Sequence, residues 1–347
     1  MSKSKLILSD RTTYIGESFG AKTNTSGEVV FNTGMVGYIE SLTDPSYFGQ
    51  IVVLTYPLVG NYGVPKKEYF ESKKIQVKGI IVQNYIDNPS HFESLKTLDA
   101  WLKEENIPGI QGIDTRALTR KLRHRGVMLG RLQVSEDSNL IFDPNAANIL
   151  PQVSVKSPEV YGEGKKHVVL IDCGAKENII RSFLKRKIKV TVVPWDFNPL
   201  KEKLNFDGVM ISNGPGDPKQ AKESIATIKH LMDRGVPTFG ICLGSQLLAL
   251  AAGGDTYKLT FGHRGHNQPV LDVLTNRAMV TSQNHGFAVD MKTMSKDWQE
   301  WFINLNDKSN EGIRHKKKPF LSVQFHPEAS PGPIDAGYLF DEFVTYL

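Results

Sequence analysis

The chain has 347 residues, a formal charge of +5 and two cysteines. That length holds two domains with separate cores, and the ordinary composition excludes a fibrous or intrinsically disordered protein. Two thiols exclude a disulfide framework, and no apolar run approaches the roughly 20 residues of a membrane helix, so a cytoplasmic protein without a membrane anchor is expected.

The first third reads as strands between turns: KLILSD from Lys5, GEVVFNT from Gly27, GQIVVLTY from Gly49 and KIQVKGIIVQNY from Lys74. A helix is predicted in SLKTLDAWLKEENI, where Leu95, Leu98, Trp101 and Leu102 are spaced for one face. TRALTRKLRHRG predicts a second helix, capped by Asp114 or Thr115 and stopped near Gly126. These elements make a strand-rich, mixed N-terminal domain over 1–150. The Pro-, Ser- and Gly-rich stretch 151–166 then reads as a linker.

Over 167–347 strands and helices alternate: HVVLIDC, KENIIRSFLKRK, KVTVVP, FDGVMIS, KQAKESIATIKHLMDRG, VPTFGI and GSQLLALAAGG. This α/β alternation predicts a doubly wound, mostly parallel sheet. DAGYLFDEFVTYL closes the chain as an amphipathic helix. The basic clusters at 120–126, 184–189 and 314–319 are separated and lack interleaved aromatics, which speaks against a nucleic-acid face.

Cys242 sits between a strand and a helix in GICLG, the thiol counterpart of a G-x-S-x-G nucleophile elbow. A helix N-terminus favours thiolate there, and backbone N–H groups at the turn can face an oxyanion. A nucleophilic thiol needs a base and an orienting partner. His326 ends an alternating strand, and Glu328 lies two residues on, on the same face if the strand geometry persists through Pro327. The histidines of GHRGHNQPV and QNHGF match no common zinc spacing, so no metal is expected, and His263 and His266 are assigned to shaping a loop. No phosphate-binding glycine motif is present.

Together GICLGSQ (240–246), SNGPGDP (212–218) and FHPEASPGP (325–333) resemble the motifs of class I, triad-type glutamine amidotransferases. The stretch GEVVFNTGMVGYIESLTDPSYFGQIVVLTYPLVGNYG and the segment GIDTRALTRKLR are similar to the small subunits of carbamoyl-phosphate synthetases, and the likeness covers nearly the whole chain. The resemblance implies that Cys242 attacks the side-chain amide of L-glutamine and that His326 passes a proton to the leaving ammonia. Glu328 orients His326, and a γ-glutamyl thioester is hydrolysed. It further implies an oxyanion hole from the N–H groups of Leu243 and Gly214. Glutamine contacts fall on Gly216, Gln246, Asn284, Gly286 and Phe287, with Ser46 contributed by the N-terminal domain. Ammonia would pass to a large subunit, in a heterodimer or higher assembly. That subunit uses ATP and Mg with bicarbonate to make carbamoyl phosphate for pyrimidine or arginine synthesis, so this chain needs no cofactor of its own. One departure is Ser245, where the family often has histidine.

Overall fold

In the computed structural model, which describes residues 3–135 and 141–347, the chain divides after Ala146 into two units. In the first, strands close into a barrel in the order Lys3–Leu8, Thr13–Gly20, Pro108–Gln111, Gly79–Ile81, Gln50–Leu54, Thr25–Asn32 and Met128–Gln133. The three parallel neighbours Thr25–Asn32, Gln50–Leu54 and Gly79–Ile81 are buried along nearly their whole length. That explains their continuous apolar runs VVF, IVVL and II, since strands covered on both faces need no polar alternation.

The first predicted helix is shorter than its pattern. Thr97 accepts a hydrogen bond from the Ala100 N–H, so the helix runs over Leu98–Glu104 and leaves Leu95 outside it and exposed. Leu98, Trp101 and Leu102 pack into the core of this unit with Val52, Val30 and Phe70. The second helix, Thr115–Arg125, has Asp114 as its cap, bonded to the Ala117 N–H at 2.8 Å, and ends at Gly126 with φ 90°.

The second unit carries a ten-stranded sheet. Its centre is parallel, in the order Lys189–Pro194, His167–Asp172, Gly208–Ile211, Thr238–Ile241 and Phe320–Val323. Successive residues of His167–Asp172 feed opposite cores. Val168 and Leu170 meet Ile179, Phe183, Phe340 and Phe343 on one face; Val169 and Ile171 meet Ile228, Leu231, Leu247 and Leu248 on the other. Burying each such side chain stabilises the fold by about 1.5–3 kcal/mol.

Around this parallel centre lie antiparallel strands that the sequence pattern did not reveal. Glu159–Tyr161 pairs at one edge, within the stretch read from composition as a linker. At the other side follow Asn310–His315, Trp298–Asn304 and the long hairpin Asp255–Asp272 with Arg277–Asp290. The hairpin corrects the loop expected around His263 and His266: both residues lie within a strand, and His263 is buried in register with His285. The closing helix spans Tyr338–Val344 and buries Leu339, Phe340 and Phe343. No helix among the described residues is long and apolar enough to cross a membrane.

Candidate active site

Neighbouring parallel strands release their chains at the same edge, and three of these exits build the site. Gly208–Ile211 leads into the 212–218 loop, Thr238–Ile241 into Cys242, and Phe320–Val323 into the loop with His326 and Glu328. Register fixes their alignment: Ile211 faces Gly240, and Ile241 faces Val323. Carboxyl ends of parallel strands are where such sheets collect ligands.

Cys242 itself adopts φ 55° and ψ −106°, and its N–H is tied to the Val323 carbonyl at 2.8 Å. A non-glycine residue in that region carries strain of roughly 1–3 kcal/mol. The flanking glycines serve a different purpose from turn flexibility. A Cβ on Gly244 would lie 2.2 Å from the Ile211 carbonyl oxygen, and one on Gly240 would lie 2.5 Å from the Gly244 oxygen. They let the Leu243–Ala251 helix seat directly on the strands. Gly244→Ala is therefore expected to cost about 1–3 kcal/mol by overpacking. Thermal unfolding checks this, and an unchanged melting temperature would count against the close seating.

His326 Nδ1 lies 2.6 Å from Glu328 Oε1, both groups fully buried. The strand ends at Val323, so the pair is made by a turn and not by strand alternation. His326 is held there by its own N–H, bonded to the Ser282 carbonyl at 2.9 Å. Burial alone would lower the His326 pKa; the Glu328 charge overrides it, aided by the Cys242 thiol, and the pKa rises to about 10. Nε2, the nitrogen turned away from Glu328, has no hydrogen-bond partner of good geometry among the described residues. Burial alone would raise Glu328, but Lys176 and His326 bring it down to about 2.

Lys176 went unnoticed in the sequence. It stands in the loop after His167–Asp172, is buried, and places Nζ 3.1 Å from Glu328 Oε1 and against the Ala329 carbonyl. The only hint was a lysine at the carboxyl end of a core strand, in CGAKEN.

Gly214, expected to supply an oxyanion N–H, packs closely against Leu243 and the Cys173 backbone. A Cβ on Gly214 would lie 2.8 Å from Leu243 Cδ2 and 2.1 Å from the Cys173 carbonyl oxygen, and Gly216 has φ 88°. The Asn284 carbonyl lies 3.6 Å from Cys242 Sγ. Gln246 donates from Nε2 to the Phe287 carbonyl at 2.9 Å and to Gln324 Oε1 at 3.1 Å, so part of its amide is committed to protein. Gly286 lies between Asn284 and Phe287 on the same strand. Ser245 Oγ bonds Ser322 Oγ at 2.8 Å. Ser46, in the first unit, is a buried turn residue whose N–H donates to Asp44 Oδ1 at 2.9 Å. Cys173 is sealed in the core, and burial pushes its thiol pKa up.

A family model described as "Glutamine amidotransferase class-I" matches residues 169–346. A second, described as "Carbamoyl-phosphate synthase small chain, CPSase domain", matches residues 6–132. The arginine-specific small chain of carbamoyl phosphate synthase from Aspergillus fumigatus is 48% identical over 99% of this chain and 79% of its own length. The chain belongs to the carbamoyl-phosphate synthase small-chain family. The corresponding small chain of Neurospora crassa is also 48% identical, over 99% of this chain and 79% of its own. The multifunctional protein CAD of Squalus acanthias is 49% identical over 98% of this chain, which spans only 16% of that protein. As a small-chain family member with a glutamine amidotransferase domain, the protein is a glutamine-hydrolysing enzyme. The amidotransferase match takes in the strand exits that carry Cys242, His326 and Glu328.

Proposed function

We propose that Cys242, His326 and Glu328 hydrolyse L-glutamine and that the ammonia serves carbamoyl phosphate synthesis in a partner large subunit. The observation that carries the reading is the His326–Glu328 bond at 2.6 Å, with Nε2 left for the thiol at the strained strand-to-helix turn. In this scheme the Cys242 proton rests on His326 Nε2, as the raised His326 pKa favours, while Sγ attacks the carboxamide carbon. The oxygen's developing charge meets the N–H groups of Leu243 and Gly214. The C–N bond breaks as His326 returns the proton to nitrogen, releasing ammonia and leaving the γ-glutamyl thioester. Water, deprotonated by His326, then cleaves the thioester to glutamate and restores the thiol. Glu328 keeps Nδ1 protonated and Nε2 aimed throughout, as the third member of a triad does.

Glutamine would be held by Gly216, Gln246, Asn284, Gly286 and Phe287. Ser46 joins this set on the resemblance alone. The first unit, up to about residue 150, would supply contacts to a large subunit that carries the ATP and Mg chemistry, in a heterodimer or a larger assembly. The names of the small-chain relatives favour arginine synthesis as the destination of the product, and pyrimidine synthesis rests on the resemblance alone.

A chloromethyl-ketone analogue of glutamine tests the site. One adduct is expected, on Cys242, blocked by excess glutamine and absent from Cys173. Mass spectrometry of peptides locates it. An adduct on Cys173, or labelling that glutamine does not slow, would sink the assignment.

A further inference from the structure

Beside the proposed nucleophile, the hairpin's buried His263 and His285 meet buried Glu311 and the more exposed Asp307, a group that the reaction scheme does not use. His263 Nε2 lies 2.8 Å from Asp307 Oδ2, while its Nδ1 lies 3.2 Å from both Glu311 Oε1 and His285 Nε2. His285 Nδ1 lies 2.8 Å from the Phe287 carbonyl.

A carbonyl only accepts, so His285 carries a proton on Nδ1. Burial lowers its pKa and keeps the ring neutral, which leaves Nε2, 3.2 Å from both His263 Nδ1 and the Gln283 side-chain amide, without a proton. Asp307 is a carboxylate, so His263 Nε2 carries a proton as well. Three groups lie close to His263 Nδ1: the Glu311 carboxylate and His285 Nε2, which accept, and the Asn304 amide at 3.4 Å, which donates but lies nearer Glu311 Oε1, at 2.9 Å. With the Asn304 amide given to Glu311 and a carboxylate at each ring nitrogen, the geometry favours a proton on both nitrogens of His263.

The His285 ring ends on the Phe287 carbonyl, which also takes the Gln246 amide at 2.9 Å. One residue before His285, the Asn284 carbonyl touches Cys242 Sγ. We propose that His263 is a positioning residue for glutamine: held as a cation between Asp307 and Glu311, it fixes the His285 ring and, through it, the Asn284–Phe287 segment beside Cys242. This rests on the reading of Cys242 as the nucleophile of a glutamine site.

The titratable groups that meet His263 are Asp307 from the turn after Trp298–Asn304, Glu311 from Asn310–His315 and His285 from Arg277–Asp290. Arg264, next to it on its own strand, and His326 also act on His285. Burial alone would lower the His263 pKa, but Asp307 and Glu311 raise it to about 9. The folded value lies above the ordinary 6.5, so the cation is fully present below that pH and is lost as pH rises through about 9.

The test uses the full chain. Nitrogen-15 NMR of the histidine rings is expected to show His263 protonated on both nitrogens at pH 7.5, with a midpoint near 9. Glu311→Gln should move that midpoint down by about one unit or more. In glutamine hydrolysis, the wild-type KM should rise along the same alkaline limb. Glu311→Gln should shift the limb with the NMR midpoint, and His263→Gln should raise KM about tenfold at every pH, with a much smaller change in kcat. A merely structural role would not make the limb follow the midpoint.

A neutral His263 at pH 7.5 overturns the proposal, as does a KM limb that ignores Glu311→Gln. So does a stoichiometric divalent metal that co-purifies with the wild type and is lost with His263→Gln, since a metal would then occupy the place given to the proton. If the wild type is not labelled at Cys242 by the glutamine analogue, the fault lies in the site reading, and the NMR midpoint still judges the protonation of His263.

Discussion

Cys242→Ala is expected to lower glutamine-dependent turnover by at least about a thousandfold, because no second nucleophile stands ready to form the thioester. The substitution removes one sulfur atom and keeps a Cβ at the same strained dihedral, so the elbow and its helix should hold their places. Cys173 offers no substitute, being enclosed in the core with a thiol that burial keeps protonated. The decisive measurement pairs two assays on the variant assembled with its large subunit. Glutamine-dependent carbamoyl phosphate formation should vanish while ammonia-dependent formation persists. Surviving glutamine turnover would place the nucleophile elsewhere. Loss of both activities, with the assembly intact, would contradict the division of labour between the subunits.

Lys176→Met should weaken the fold more than any surface substitution, by about 3–5 kcal/mol, because it strands a buried carboxylate without its lysine partner. Glu328 would keep only His326 as a cation, and its carbonyl-side anchor at Ala329 would go too. The pH dependence separates the charge from the lost packing. In the wild type Glu328 is held near 2, below its ordinary 4.5, so its contribution is complete above pH 4.5 and fades as pH falls through about 2. Without Lys176 the carboxyl protonates more readily, and the acid loss of stability should begin at higher pH. Thermal melts from pH 3 to 8 check this. A variant that melts with the wild type at pH 7, or whose acid limb is unmoved, would show that Lys176 does not hold Glu328.

The motifs were legible where chemistry restricts residue choice over a few consecutive positions. GICLG announced the elbow because few other uses of a chain put a cysteine between two glycines at a strand end. The alternation from His167 onward gave the parallel centre because its strands are apolar on both faces and its helices have one apolar stripe. The antiparallel half was not legible. Asp255–Asp272 mixes His263, Arg264, His266, Asn267 and Gln268 with few apolar positions, since part of its inner face meets a polar network and not a hydrophobic core. Thr13–Gly20 and Pro108–Gln111 escaped for a related reason: glycines and a proline sit where barrel strands approach closely. Lys176 was hidden because its meaning lies in a partner about 150 residues away, and no local pattern encodes that.

The backbone angle at Cys242 sets stability against activity at a single position. A glycine there would adopt φ 55° without steric cost and relieve the strain, yet it would carry no sulfur. A library sorted only for heat resistance should therefore drift toward glycine at 242 and lose its chemistry as it gains robustness. Screens that aim for a sturdier catalyst from this scaffold have to reward turnover at the same time, or they will select the relaxed, silent form.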